Sequence, residues 1–292
     1  MTHDHGTPTA PSHPLQAAIP VASPGPPASP PGTGRPSRLP ALLSRDRGTL
    51  AALAALAVLT TTHLAAHLLG ADTWAAVTQW TLMPLLALAL ARATRGARRS
   101  RLVRLTLLAL ALSWLGDAAP DLAGDSAFLV MVGFFLLAQV AYVVAFWPSR
   151  TRSVLTRPAR AVPYALALVG LLALCAPGTG ALLVPTVVYG TCLTLMAALS
   201  TGVHRLAGVG GAVFLVSDSL IALGEFVPGF SLPAEGFWVM ATYVAGQCLL
   251  AAGVLLRDSA DRAAAALPAG QGGPVGPAPR TGPTDAADVR PA

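Results

Sequence analysis

The sequence predicts an all-α fold, a polytopic membrane bundle of eight transmembrane helices. The first reason is composition, because 54% of the 292 residues are apolar and only 11% are charged, against about 25% charged residues in a soluble domain. The second is the recurrence of apolar runs of roughly 18–22 residues, each long enough to cross a hydrocarbon core of about 30 Å. The third is the alternation of basic and non-basic connections between those runs.

Eight apolar runs follow one another along the chain, and each predicts a membrane-spanning helix. They cover roughly residues 50–69, 72–91, 102–118, 127–147, 161–176, 180–200, 206–224 and 237–256. The fifth run is the shortest. Pro84 lies within the second run and Pro185 within the sixth. We expect both prolines to kink their helices and to open space for a ligand between spans.

The basic residues indicate how the chain is threaded through the membrane. All 19 Lys-plus-Arg positions are Arg. Arg precedes the first run, follows the eighth, and fills every second connection; the other connections lack Arg and contain Asp72, Asp121, Asp125 and Glu235. The positive-inside rule therefore places both termini in the cytoplasm. We expect a bacterial-type cell membrane with the Arg-rich loops cytoplasmic and touching anionic lipid, and no nucleic-acid partner.

The composition divides the chain into three parts. Residues 1–47 and 259–292 are rich in Pro, Gly and Ala, and such segments cannot bury enough apolar surface to offset their ordering entropy. We expect both to be disordered cytoplasmic tails, on either side of an eight-helix membrane domain over residues 48–258.

Neither a metal nor a cofactor is expected. His63 and His67 are one helical turn apart, a spacing that can hold a metal, but they lack the Glu of a His-Glu-x-x-His motif. Polar packing is the preferred interpretation. The three Cys, at 175, 192 and 248, show no spacing typical of a disulfide framework or a zinc site.

The two halves of the membrane domain share a pattern. Asp117 lies 33 residues after Pro84, and Asp218 lies 33 residues after Pro185. Because each half begins inside and holds four runs, the pattern predicts a 4+4 parallel internal repeat about an axis along the membrane normal. The helical rise places Asp117 about 22 Å and Asp218 about 18 Å from the inner ends of their spans. Both carboxylates would then lie in the outer part of the bilayer.

Asp117 and Asp218 are the candidate catalytic residues. An ionisable side chain within lipid costs about 2.5–3.5 kcal/mol and is a functional candidate by default. The alternatives are a solvated helix-end carboxylate for Asp117 and an interhelical hydrogen bond for Asp218. Five further polar side chains at span depth are candidate substrate-binding residues: Gln139, Tyr142, Tyr189, Tyr243 and Gln247. Their alternative role is to join helices by hydrogen bonds.

Three stretches of the chain carry a family resemblance. Leu108–Asp117 ends in Ser-Trp-Leu-Gly-Asp, and Gly211–Ala222 contains Phe-Leu-Val-Ser-Asp. Phe128–Phe146 contains Gly133 and Tyr142. In order and spacing these stretches resemble the lysoplasmalogenase-like YhhN family of eight-span membrane proteins, over about residues 50–256.

The resemblance implies hydrolysis of the vinyl ether bond of lysoplasmalogens, with a lysophospholipid as substrate and a fatty aldehyde as product. Such hydrolysis begins with a proton delivered to carbon, which leaves an oxocarbenium ion. A carboxyl kept protonated by an apolar environment would donate that proton, and an ionised carboxylate would stabilise the cation or orient water. We assign Asp218 as the acid and Asp117 as the stabiliser, with the reverse as the alternative. The lipid would enter sideways between helices.

Two departures from the family pattern bear on activity. Gln79 and Trp80 stand where the family often has Lys-Pro, and Gln139 stands where it often has His. Two other function classes therefore stay open. One is a proton-coupled transporter of small molecules or lipids, because carriers also contain paired intramembrane carboxylates. The other is a lipid-binding protein without activity. The position of the carboxylates away from the midplane favours the enzyme.

Overall fold

The computed structural model describes residues 1–3, 39, 46–96 and 98–266, and it confirms the all-α fold class for them. Internal contacts divide the chain into Met1–Arg35 and Pro36–Ala292. Of the first unit only residues 1–3 are described, without regular secondary structure. Most of the predicted N-terminal tail, and residues 267–292 of the C-terminal one, lie outside the described residues.

Eight long α-helices follow one another over the described residues 46–96 and 98–266. They are α1 (Arg47–Leu69), α2 (Asp72–Ala93), α3 (Arg101–Ala118), α4 (Ala127–Phe146), α5 (Pro158–Thr179), α6 (Leu183–Ser200), α7 (Arg205–Phe226) and α8 (Glu235–Ala265). Each coincides with one of the eight apolar runs. Short 3-10 turns connect α3 to α4, α4 to α5 and α5 to α6.

Within the described ranges, seven helical segments are long and apolar enough to cross a membrane. One of the seven, Pro158–Ser200, contains both α5 and α6, which only the 3-10 turn Gly180–Leu182 separates. Eight separate spans, cytoplasmic termini and an internal repeat therefore stay predictions. The helices carry exposed large apolar side chains, among them Val58, Val169 and Val216. Apolar surface of this kind is typical of contact with a membrane.

Side chains at the N-cap positions begin several helices. Asp46, Ser100 and His204 precede α1, α3 and α7, and each side chain accepts a hydrogen bond from a backbone N–H of the first turn. These caps satisfy donors that have no partner inside the helix. Gly70 ends α1 in the left-handed conformation, with φ 65°, and the chain turns directly into α2.

The two prolines of the predicted repeat occupy different positions in their helices. Pro84 lies inside the 22-residue α2. Pro185 is the third residue of α6, which begins at Leu183. In the first turn of a helix a proline removes no internal hydrogen bond. The kink expected at Pro185 therefore does not arise, because the helix begins later than the apolar run that predicted it.

The last helix extends beyond the predicted eighth run. It continues to Ala265, so residues 259–265, assigned to the tail from composition, are helical. Two ion pairs support this extension, and in each the partners are one helical turn apart. Arg257 pairs with Asp261 at 2.9 Å, and Arg262 pairs with Asp258 at 2.7 Å. Pairs at this spacing stabilise a helix by about 0.2–0.5 kcal/mol each. The tail boundary expected at 259 therefore moves beyond Ala265.

Helix α8 connects the two halves of the bundle. It packs against α7 and also contacts α1, α2 and α3, whereas α6 contacts α4, α5 and α7. Gly210 and Gly246 bring α7 and α8 into close backbone contact, since a Cβ on Gly210 would lie 2.7 Å from the Gly246 carbonyl oxygen. Small residues at such crossings are typical of helices that associate in membranes. The polar side chains of α3 and α8 thereby meet inside the bundle.

Candidate active site

Two carboxyl groups are buried in the helical bundle. Asp117, the second-last residue of α3, is 7% exposed, and Asp218, in α7, is 8% exposed. They lie 101 positions apart in the chain, and each accepts a hydrogen bond from a tyrosine hydroxyl, Asp117 from Tyr243 and Asp218 from Tyr189.

Asp117 joins three helices by hydrogen bonds. The Tyr243 hydroxyl of α8 donates to Oδ2 over 2.9 Å. The Gln79 amide of α2 donates to Oδ1 over a longer 3.5 Å. The alternative of a solvated carboxylate at a helix end does not fit this burial and these partners. Gln79, noted in the sequence only as a departure from the family pattern, is thus a direct neighbour of the site.

A second set of polar contacts lies one helical turn away. Ser113 precedes Asp117 by four residues, and Gln247 follows Tyr243 by four, so each pair shares a helix face. The Gln247 amide donates to the Ser113 hydroxyl over 3.1 Å, and the Tyr142 hydroxyl donates to the Gln247 carbonyl oxygen over 2.6 Å. Ser113 was not predicted as a site residue, although its spacing of four residues from Asp117 was a usable signal. We define the Asp117 cluster by its members: Asp117, Tyr243, Gln79, Ser113, Gln247 and Tyr142.

Asp218 belongs to a neighbouring group that we call the Asp218 cluster: Asp218, Tyr189 of α6 and Gln139 of α4. The Tyr189 hydroxyl donates to Oδ2 of Asp218 over 2.5 Å. Gln139 is fully buried, and its amide lies near the Tyr189 hydroxyl. Neither its nitrogen nor its oxygen makes a well-formed hydrogen bond to a described residue. Gln139 therefore adjoins the tyrosine that contacts Asp218, and it stays a candidate to bind a ligand.

An apolar cavity of about 70 Å³ adjoins the Asp218 cluster. Side chains from α4, α5, α6 and α7 line it, and Asp218 and Tyr189 form part of its wall. Phe135 of α4 also lines the cavity, and its ring packs edge-on against Tyr243, with 5.7 Å between centroids. Phe135 therefore lies between the cavity beside Asp218 and the tyrosine that contacts Asp117.

His63 and His67 pack against each other near the end of α1, with ring centroids 4.7 Å apart. Nδ1 of His63 lies 2.9 Å from the Thr78 hydroxyl oxygen. Over the part of the chain that the structure describes, no group of three or more His, Cys, Asp or Glu is placed to hold a metal ion. The contacts of His63 are those of polar packing between α1 and α2.

Comparison with known proteins adds a family and two relatives. Residues 74–254 match the model of the YhhN family. Proteins named lysoplasmalogenase from Mycobacterium bovis and Mycobacterium tuberculosis are each 33% identical over 150 residues. These matches cover 48% of this chain and 56% of each relative, so the chain spans little more than half the length of the curated relatives it matches. No solved structure matches the chain.

Proposed function

This chain belongs to the YhhN family of integral membrane proteins, and from that premise we propose that it hydrolyses the vinyl ether bond of lysoplasmalogens. The observation that carries the proposal is the burial of two carboxyl groups, Asp117 and Asp218, of which Asp218 lines an apolar cavity. The name of the two mycobacterial relatives supports the substrate class.

The first step transfers a proton to the substrate. Asp218 lines the cavity. It donates its proton to the double-bond carbon that does not bear the ether oxygen. The π electrons of the double bond form the new C–H bond, and a lone pair of the ether oxygen delocalises to give an oxocarbenium ion. Tyr189 fixes the orientation of Asp218 by its hydrogen bond. Positioned general acids accelerate reactions by about 10²–10⁴-fold.

The second step captures the cation. Asp117, held by Tyr243 and Gln79, acts as the carboxylate that stabilises the oxocarbenium ion and orients a water molecule. The water oxygen bonds to the cationic carbon, and its proton passes to the ionised Asp218, which restores the acid. The bond between the hemiacetal carbon and the glycerol oxygen then breaks, the hemiacetal hydroxyl proton is transferred to that departing oxygen, and the products are a fatty aldehyde and the glycerophospho-base alcohol. One water is consumed in each cycle, and exchange of the two Asp roles is the alternative assignment.

The remaining polar side chains position this pair. Gln139 offers a buried amide beside Tyr189, which suits a hydrogen bond to an oxygen of the substrate glycerol. Tyr142, Gln247 and Ser113 join α3, α4 and α8 and thereby hold the helix faces that carry Asp117 and Tyr243. Catalysis in this scheme uses protein side chains alone.

The test is aldehyde release by the purified protein in detergent. With lysoplasmalogen as substrate, we expect Asp117→Asn and Asp218→Asn each to lower the rate by about 10²–10⁴-fold. Asp125→Asn is the matched control, because Asp125 is exposed, and it should keep the parental rate. Size-exclusion chromatography and thermal unfolding verify that each variant folds.

Two outcomes would contradict the proposal. Aldehyde release that survives both substitutions would exclude the carboxyl pair as acid and stabiliser. Uptake of lysolipid into vesicles without any aldehyde would instead favour the transporter that the paired carboxylates also permit.

A further inference from the structure

The cavity beside Asp218 is a slot with one polar region in an apolar wall. Its α7 side extends from Asp218 to Phe226 and its α6 side from Pro185 to Leu193. Each side covers eight residue-to-residue steps, or about 12 Å at the helical rise. Asp218 is the one carboxyl group in this lining. A narrow space of this length suits a hydrocarbon chain better than a ring or a charged headgroup.

One side of the slot opens toward the outer surface of the bundle. Leu129 of α4 is 51% exposed and also lines the slot, as does the exposed Pro185 of α6. Between α4 and α7 the slot is narrowed by Phe128 and Phe226, whose rings pack edge-on with 5.7 Å between centroids. A chain would therefore reach Asp218 from the side, between α4 and α6.

The volume limits how much of a lipid the slot can hold. Pockets for drug-sized ligands measure about 300–1,000 Å³, whereas this cavity measures about 70 Å³. Only a slender segment fits inside, and the rest of a long chain must continue past Leu129 into the bilayer. The width of the slot, and not its length, is thus the property that selects a ligand.

Gly190 of α6 determines part of that width. It lines the slot one residue after Tyr189, and a Cβ there would lie 3.3 Å from Cδ1 of Leu168 on α5. A methyl group would displace Leu168 slightly, and a leucine side chain would extend toward Leu168 and Leu172 of α5, of which Leu172 lines the slot. Gly190 therefore leaves room between α6 and the α5 wall of the slot.

We propose that this slot binds the first carbons of an unbranched hydrocarbon chain, which enters from the bilayer between α4 and α6 and places its ether end at Asp218. This inference rests on the proposed function for the identity of the lipid, and it adds the binding site, the entry route and the selecting residue. It excludes chains that are branched beside the ether bond, because their extra width would clash with Leu172 and Phe135, which line the slot.

The experiment uses the full chain in detergent and a lysolipid that cannot be hydrolysed in this way. The probe is a saturated 1-O-alkyl lysophospholipid with a diazirine on the chain near the ether oxygen. After irradiation, mass spectrometry of peptides should locate the label on α4, α5, α6 and α7, which line the slot. Label confined to α1, α2, α3 or α8, or spread over all helices, would overturn the proposal.

Variants test the role of Gly190. We expect Gly190→Leu to lower labelling about tenfold, which corresponds to about 1.4 kcal/mol of binding. Gly170→Leu is the matched control, since a Cβ on Gly170 of α5 meets nothing within 4 Å, and its labelling should be unchanged. Gly190→Ala, a smaller change, should lower labelling less and serves if Gly190→Leu does not fold. Equal labelling of the parent and both Gly190 variants would refute the assignment of Gly190.

Competition tests the selectivity of the slot. An unlabelled straight-chain alkyl lysolipid should displace the probe, and one with a methyl branch beside the ether oxygen should not. Equal displacement by both would overturn the width argument. The two proposals can fail separately. Labelling of the slot without aldehyde release from lysoplasmalogen would support the binding site and contradict the proposed hydrolase activity. Aldehyde release with the label outside the slot would support the hydrolase activity and contradict the binding site.

Discussion

Gly116 packs directly against the ring of Phe135, so closely that a Cβ on Gly116 would lie 2.8 Å from two ring carbons. Gly116 immediately precedes Asp117, and its missing side chain lets α4 approach α3 at the level of the carboxyl group. The same ring contacts Tyr243, which donates a hydrogen bond to Asp117. One glycine thus allows the packing that positions both the slot wall and the Asp117 cluster.

We expect Gly116→Ala to destabilise the protein. The added methyl group must displace a buried ring, and such overpacking costs about 1–3 kcal/mol. Thermal unfolding in detergent provides the measurement. Gly133→Ala on α4 is the control, because its Cβ would meet nothing within 4 Å, and it should gain the helix propensity of Ala, about 1 kcal/mol. Equal unfolding midpoints for the two variants would show that the contact does not constrain α3 and α4.

Tyr243→Phe tests how Asp117 is held. Loss of a hydrogen bond to a charged group costs about 1.5–3 kcal/mol, and we expect aldehyde release to slow accordingly. Tyr142→Phe removes a hydroxyl that contacts Gln247 and not Asp117, so it should slow the reaction less. In an Asp117→Asn background, Tyr243→Phe should have little further effect, since the two residues act through one contact. Fully additive effects of the two changes would contradict this coupling.

Gln139→Leu should separate stability from activity. The Gln139 amide lacks well-formed hydrogen bonds, so an apolar side chain of similar size should leave the unfolding free energy unchanged or increase it. Its loss should raise KM for the lysolipid, because the proposed contact is with substrate. Gln247→Leu is the contrast: it removes two hydrogen bonds and should destabilise by about 1–3 kcal/mol. Equal destabilisation by the two changes would mean that Gln139 is structural.

His204 introduces a pH dependence outside the spans. Its Nδ1 accepts a hydrogen bond from the Leu206 N–H at the start of α7, and burial, with the charge of Arg205, lowers the pKa of His204 from its ordinary 6.5. Protonation of His204 is less favourable in the folded state than in the unfolded state. The stability that the neutral cap contributes is therefore complete above pH 6.5 and is lost as pH falls below it.

The matched variant is His204→Asn, which keeps a capping oxygen that does not titrate. Loss of a good N-cap costs about 0.5–2 kcal/mol. The free energy of unfolding of the parent protein should fall by up to that amount as pH is lowered from about 7.5 to about 5.5. Unfolding midpoints at the two pH values give the difference, which should shrink in the variant. An unchanged difference would assign the pH dependence to other groups.

Several features of the fold and of the candidate site were predictable from local patterns. The apolar runs located the eight long helices of the described residues, because a backbone in lipid must satisfy its hydrogen bonds within its own segment. The matching positions of Asp117 and Asp218 identified two carboxyl groups that the structure buries in the bundle. Spacing did not predict the place of Pro185 in the first turn of α6, since hydropathy does not locate a helix start to within a few residues.

The sequence alone determines which segments are helices and which of their side chains are too polar to be left in lipid, because both follow from the composition of single segments. The partner of each polar side chain is a matter of tertiary structure. Tyr243 meets Asp117 across 126 residues, and Gln247 meets Ser113 across 134. Such contacts depend on how α8 packs against α3, where close approach at Gly210 and Gly246 fixes α8 on α7. The slot beside Asp218 arises in the same way, from four helices whose side chains leave a gap that no one helix encodes.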